Sequence, residues 1–329
     1  MTSIQSTLWV EKHRPETLDE IIGHEKETER LKEYADDDEV PHMIFAGPAG
    51  TGKTAAITAF ARAVFGGGFR SNLSELNASD ERGIDTIRDK VKGIARSNPA
   101  GDHQFKIIFL DEADQLSRDA QPALRRIMED YSDVTRFFLS CNYPDKIIEP
   151  LQSRCSMFRF GRLTDEQVGT LIDRVADAED IEVEDTAKQK IIKESRGDAR
   201  SAINALQTAT VNEEVTTETV KTVVGVVDDN LVQNIVQLAI SGDLETAMED
   251  LDMKLLKQGA NTQSLADSFL RVLKHRVDMP EPGRVKCIDK LAECEWRVMS
   301  GANAHVQFHS LLADIHVSAH LDMGGNYEG

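Results

Sequence analysis

A chain of 329 residues, 40% of them hydrophobic, holds enough apolar material for two or three domains. No apolar run approaches the ~18 residues a membrane span needs, and the opening MTSIQSTLWVEKHRP has no signal-peptide core. Its four cysteines (Cys141, Cys155, Cys287, Cys294) form no CxxC pair. Together these argue against a membrane-spanning helix, a cysteine metal site and a disulfide framework, and a reduced cytosol is expected. The net charge of −19 argues against nucleic acid as a partner, yet the acid is unevenly spread. Residues 1–162 hold 22 Lys/Arg against 27 Asp/Glu, whereas residues 163–329 hold 16 against 30. With arginine outnumbering lysine 21 to 17, the excess reads as the solvated surface of a halophile or, more plainly, as a device for solubility.

Taken in chain order, residues 1–162 alternate apolar strand-like runs with helical patterns, the mark of a parallel α/β sheet. The predicted strands are HMIFAG (42–47), LSELNA (73–78), KIIFLDE (106–112), TRFFLSC (135–141) and CSMFRF (155–160). There the strands stop. Thr164 and Gln167 in LTDEQV make a capping box that opens a helix, and everything beyond reads helical. Gly197, Gly242 and Gly259 follow helix-period stretches as stops. A break falls near Gly225–Asp228, without internal repeats, low-complexity linker or heptad run.

The strongest chemical signal is GPAGTGKT, from Gly47 through Pro48, Ala49, Gly50, Thr51, Gly52 and Lys53 to Thr54. It satisfies the P-loop pattern GxxxxGK followed by Ser or Thr, and it lies between a strand and a helix as that pattern requires. Glycines let the backbone wrap phosphate oxygens with its N–H groups pointing inward at a helix N-terminus. Lys53 would reach the β- and γ-phosphates of ATP, and Thr54 would hold Mg²⁺.

KIIFLDEAD supplies a second half. Asp111 emerges at the carboxyl end of a strand buried on both faces, where open α/β sheets bind ligands. Asp111 would hold Mg²⁺ through water, and Glu112 would polarise the attacking water. The letters DEAD also occur in DEAD-box helicases, but no second RecA-like domain follows. Asn142, after TRFFLSC, would orient the water or sense the γ-phosphate; taken alone it could equally cap a turn before Pro144.

With WVEKHRP at 9–15, ELNASDERGIDTIR at 75–88, NYPDKIIEPLQSRC at 142–155 and GDAR at 197–200, the first 210 or so residues resemble the replication factor C small-subunit family of AAA+ ATPases, the sliding-clamp loaders. His13 departs from the Tyr usual in the EKYRP string. The resemblance implies an AAA+ P-loop domain with a five-stranded parallel sheet (1–162), a helical lid domain (163–226) and a helical collar domain for oligomerisation (227–329). It implies ATP and Mg²⁺ as cofactors. Val10, Arg14 and Pro15, with Ile21 and Ile22, would form the adenine pocket, although core packing explains the isoleucines as well. Arg200, in the first turn of a helix capped by Asp198, resembles the sensor arginine by which the lid touches the γ-phosphate; the plain alternative is a surface arginine paired with a local acid.

Arg154, in the SRC string, would reach the nucleotide held by a neighbouring subunit. Partners implied are a clamp-loader large subunit, other small subunits, the sliding clamp and primer–template DNA. Arg82, Arg88 and Lys146 would lie along the DNA phosphates, positioning the duplex without reading its sequence. In the stretch to Arg96, Ile84, Ile87, Val91 and Ile94 make one apolar stripe, while Arg88, Lys92 and Arg96 point elsewhere; a basic face of this kind is also what simple solvation produces. Ile94 and Ala95 resemble the part that rests on the clamp, with core packing as the alternative. The competing reading is another AAA+ DNA motor, a Holliday-junction helicase or a replication initiator. Such a protein would bear a C-terminal winged helix, and no basic recognition helix is evident in 227–329. A catalytically silent ring member is a third reading, against which stand the intact Lys53, Asp111, Glu112 and Arg154.

Overall fold

Each of the five apolar runs forms a strand in the computed structural model, which describes residues 8–37, 39–79, 87–224, 227–257 and 260–319. They are β1 (His42–Ala46), β2 (Leu73–Asn77), β3 (Lys106–Asp111), β4 (Thr135–Cys141) and β5 (Cys155–Arg159). All pairings are parallel and the order is β2-β3-β4-β1-β5. Alternation along the strands explains why the central runs of β1, β3 and β4 are continuously apolar, whereas the edge strands β2 and β5 are only partly buried. Ile44, Ile108, Leu110, Phe137 and Leu139 bury on one face with Leu124, Ile127 and Met128 of the Ala120–Asp130 helix. Met43, Phe45, Ile107, Phe109 and Phe138 bury on the other with Ile57 and Phe60 of the Lys53–Phe65 helix. With both faces covered, a strand shows no polar alternation.

The capping box forms as expected. Thr164 N–H donates to Gln167 Oε1 at 2.9 Å, and Gln167 N–H donates to Thr164 Oγ1 at 3.3 Å, opening the helix Asp165–Glu179. Helices Asp185–Ser195 and Ala199–Ala209 follow. One expectation needs correcting, because strands do not end at residue 160. Two-residue strands β6 (Glu182–Val183) and β7 (Glu214–Val215) pair in parallel. They are too short to leave a period-2 signal.

The chain divides into two compact units, Met1–Val220 and Lys221–Gly329. The second is helical throughout its described residues, with a core that includes Val232, Ile235, Phe269, Phe308 and Leu312. Gly242 caps the Asp229–Ser241 helix in the left-handed conformation it was expected to adopt; Gly225 and Gly259 lie outside the described residues.

Candidate nucleotide-binding site

The P-loop leaves β1 at the carboxyl edge of the sheet and runs directly into the Lys53–Phe65 helix. Its glycines answer to close approaches. A Cβ on Gly47 would stand 1.9 Å from the Phe160 carbonyl oxygen. Gly50 turns left-handed (φ +73°), and a Cβ there would stand 1.9 Å from Asp198 Oδ1. Only glycine fits both places. Lys53 is 8% exposed and lays its ammonium on Gly47 O (2.6 Å), Pro48 O (2.8 Å) and Asn142 Oδ1 (3.1 Å). Burial lowers its pKa, and the charge of Asp111 works against that shift.

β3 and β4 pair from Lys106↔Thr135 to Leu110↔Leu139, which sets Ser140 beside Asp111. Asp111 Oδ1 accepts hydrogen bonds from Ser140 Oγ and, at 3.0 Å, from the Glu112 N–H. Glu112 itself is left-handed, φ 52°. For a non-glycine residue that conformation costs roughly 1–3 kcal/mol and tends to persist where function requires it. The donor set suits Mg²⁺. Thr54 and Asp111 offer hard oxygens on one cleft, and no cluster of three His, Cys, Asp or Glu occurs among the described residues. Magnesium needs only one or two protein ligands beside phosphate and water, so the sparse set fits it.

The cleft takes in most of the residues singled out in the sequence. Val10, Arg14, Pro15, Ile21 and Ile22 line it from the N-terminal segment. Ala49, Gly50, Thr51, Gly52, Lys53 and Thr54 line it from the loop, and Asp111, Glu112, Asn142 and Arg200 complete it. Gly47 and Pro48 stand behind it, accepting from Lys53. Ile21 also packs on the aromatic core, as the core reading of that residue expects. Arg200 sits in the first turn of Ala199–Ala209, where Asp198 caps by accepting from Ser201 N–H at 3.0 Å.

Several residues were not legible in the sequence. His24, 8% exposed, donates from Nε2 to Thr51 O at 3.0 Å and lies against Phe160 at 4.6 Å between centroids. A carbonyl only accepts, so Nε2 carries the proton; burial lowers the ring's pKa. Arg162 donates to Asp198 Oδ2 (3.0 Å) and Ala49 O (3.3 Å), and Ala199 N–H donates to Gly50 O at 3.0 Å. These bonds tie the apex of the P-loop to the helix that carries Arg200. His13, at the position that departs from the family pattern, pairs with Glu179, which also accepts from Lys12 at 2.8 Å.

Arg154 stands apart. The register His42↔Cys155 sets it beside the start of β1, at the amino edge of the sheet, whereas the P-loop leaves from the carboxyl edge. Five strand residues separate the two levels, about 16 Å. Arg154 does not line the cleft. Instead its Nη2 pairs with Glu129 Oε1 at 2.5 Å and its Nη1 donates to Pro150 O at 2.9 Å. Lys146 ends the Pro144–Lys146 turn with its ammonium 4.8 Å from the exposed Tyr143 ring centroid. Arg82 and the Arg88 side chain lie outside the described residues. Ala95 is fully buried, which bears out its core reading, while Ile94 packs beside it only partly buried.

Comparison with known proteins agrees with this geometry. Residues 43–163 match the ATPase family associated with various cellular activities (AAA), and residues 227–314 match the replication factor C C-terminal domain. The replication factor C small subunit of Halobacterium salinarum is 44% identical over 95% of this chain and 97% of its own length. The same subunit of Methanococcus maripaludis is 44% identical over 93% of this chain and 97% of its own length. Among solved structures, the RuvB Holliday junction branch migration motor of Thermotoga maritima superposes with a TM-score of 0.54 at 22% identity, covering 73% of this chain and 85% of that one. At that identity the likeness is one of fold. Identity of 44% over 93–95% of the chain shows the affiliation: the chain is an AAA ATPase and belongs to the replication factor C small-subunit family.

Proposed function

We propose that the chain binds ATP with Mg²⁺ in this cleft and, within a clamp-loader complex, uses hydrolysis to place a sliding clamp on primer–template DNA. The observation that carries the reading is the split between the two edges of the sheet. The P-loop, Asp111, Glu112 and Asn142 lie at the carboxyl edge, while the arginine of the SRC string sits at the opposite edge of the same chain.

Within one cleft the roles follow from placement. Gly47–Gly52 and the helix N-terminus would present N–H donors to the phosphates. Lys53 would trade its two carbonyls and the Asn142 amide for phosphate oxygens. Thr54 and Asp111 would hold Mg²⁺, which would neutralise charge on the phosphates. Glu112 would take the proton of the attacking water, and Asn142 would orient that water once Lys53 turns to phosphate. Arg200 would bring residues 163–226 down as a lid, through the bonds that join Asp198 and Ala199 to the loop. Residues 227–329 would hold the subunits together as a collar, and Arg154 would complete the neighbouring site.

Arg82, Arg88 and Lys146 would contact DNA phosphates. The acidic excess of residues 163–329 suits a surface solvated at high salt, where counterion release contributes little, so the closed ring retains DNA more than charge does. A cytoplasmic setting accords with this work on DNA. Assembled complex carrying Arg154→Ala tests the reading: its ATP affinity should match wild type and its hydrolysis collapse. Undiminished hydrolysis would refute the division of the site.

A further inference from the structure

Arg154 is not the only charged group at the amino edge of the sheet. The Ala120–Asp130 helix runs there with Leu124, Ile127 and Met128 buried beneath it at 5% exposure or less. Its outer face carries Arg125 and Glu129, one turn apart. Arg125 Nε donates to Glu129 Oε1 at 3.1 Å, and the same oxygen takes Arg154 Nη2 at 2.5 Å. The hydrogen bond from Arg125, with the charges of Arg125 and Arg154, holds the Glu129 carboxyl below the usual carboxylate range, so it is ionised. Nothing in the cleft uses these three side chains.

The arrangement has a direction. Glu129 is anchored to a helix fixed by its buried face, whereas Arg154 projects from the residue between a four-residue helix (Glu149–Gln152) and β5. A long side chain in that place would sample many rotamers, and ordering it costs entropy. Glu129 Oε1 and Pro150 O hold one N–H on each terminal nitrogen. A guanidinium carries five N–H donors, so donors remain for a second anion. The carboxylate thus fixes the head of the arginine without using up its capacity.

We propose that Glu129, oriented by Arg125, is a positioning residue for Arg154: it holds the guanidinium in place for the phosphoryl group bound by the neighbouring subunit. The proposal rests on the reading of Arg154 as a finger acting across subunits. The test is steady-state ATP hydrolysis by assembled complexes of verified mass, together with nucleotide affinity. Glu129→Ala should lower kcat about tenfold, a fraction of what loss of the finger itself costs, with nucleotide affinity unchanged. Glu129→Gln, which keeps the acceptor oxygen, should recover part of that loss. In an Arg154→Ala background, Glu129→Ala should have no further effect, because a positioning residue acts only through what it positions. Losses that multiply in the double variant would overturn the proposal, as would a kcat raised by Glu129→Ala, which would make Glu129 a competitor for the finger. Wild-type hydrolysis in Arg154→Ala alone would instead remove the finger reading, and this proposal with it.

Discussion

The two edges of the central sheet differ in kind. At the carboxyl edge, groups are buried or half-buried and multiply bonded: buried Lys53 has three acceptors, half-buried Asp111 has two donors, and Glu112 is held left-handed. At the amino edge, Arg154 and Glu129 form a pair about one third exposed. Buried, over-determined geometry suits a site that must be formed before its ligand arrives. Exposed and simply held groups suit contact with something brought from outside. The contrast is what a catalytic site divided between chains requires, and it can be broken from either edge.

The largest effect is expected at the carboxyl edge. Glu112→Gln should lower hydrolysis by about 10²–10⁴-fold while ATP binding persists, as steady-state rates and equilibrium binding would report. A wild-type rate in assembled complex would remove Glu112 from the role of base. Lys53→Ala should weaken binding itself, by roughly tenfold to a hundredfold, since charged hydrogen bonds contribute about 1.5–3 kcal/mol. Titration with a fluorescent nucleotide would show it; unaltered affinity would mean that Lys53 stays on its carbonyls.

The parts of this site that were readable in the sequence are those whose cause is local. The central strands β1, β3 and β4 showed as apolar runs because burial on both faces leaves no alternation to decode, and the edge strands β2 and β5 are only partly buried. The P-loop showed because its glycines and Lys53 act within eight residues, and the capping box because Thr164 and Gln167 are three apart. What could not be read depends on residues far apart in the chain. His24 meets a carbonyl 27 positions on, Arg162 and Asp198 are 36 apart, and Ser140 faces Asp111 only through the β3–β4 register. Each of these looks like an ordinary polar residue until the sheet is assembled. That Val10, Arg14 and Pro15 would line the nucleotide cleft was available from family resemblance alone, since no local pattern marks them.

Smaller effects test the amino edge. His42, at the start of β1 beside Cys155, accepts from Phe137 N–H at 3.0 Å, and burial, helped by Arg136, lowers its pKa to about 4. The folded state therefore binds this proton less readily than the unfolded chain, whose imidazole titrates near 6.5. Its contribution to stability should be complete above about 6.5 and lost progressively toward about 4. Denaturant melts of wild type and His42→Gln across that range check this, and identical pH slopes would contradict it. Smaller again, Lys146→Ala should flatten the log–log salt dependence of DNA binding by about one, with a similar loss on every DNA sequence. Superimposable salt curves would place the DNA elsewhere.

The division of the site is tested most directly by mixing variants. Complexes made only of Arg154→Ala subunits, or only of Lys53→Ala subunits, should be nearly inactive, the first by about 10³–10⁵-fold in rate. Complexes shown by mass to contain both contain interfaces where the intact P-loop of an Arg154→Ala subunit meets the intact arginine of a Lys53→Ala neighbour. The account predicts that hydrolysis returns at those interfaces, in proportion to their number. Mixed complexes as inactive as either parent would contradict it, and would place the action of Arg154 within its own chain.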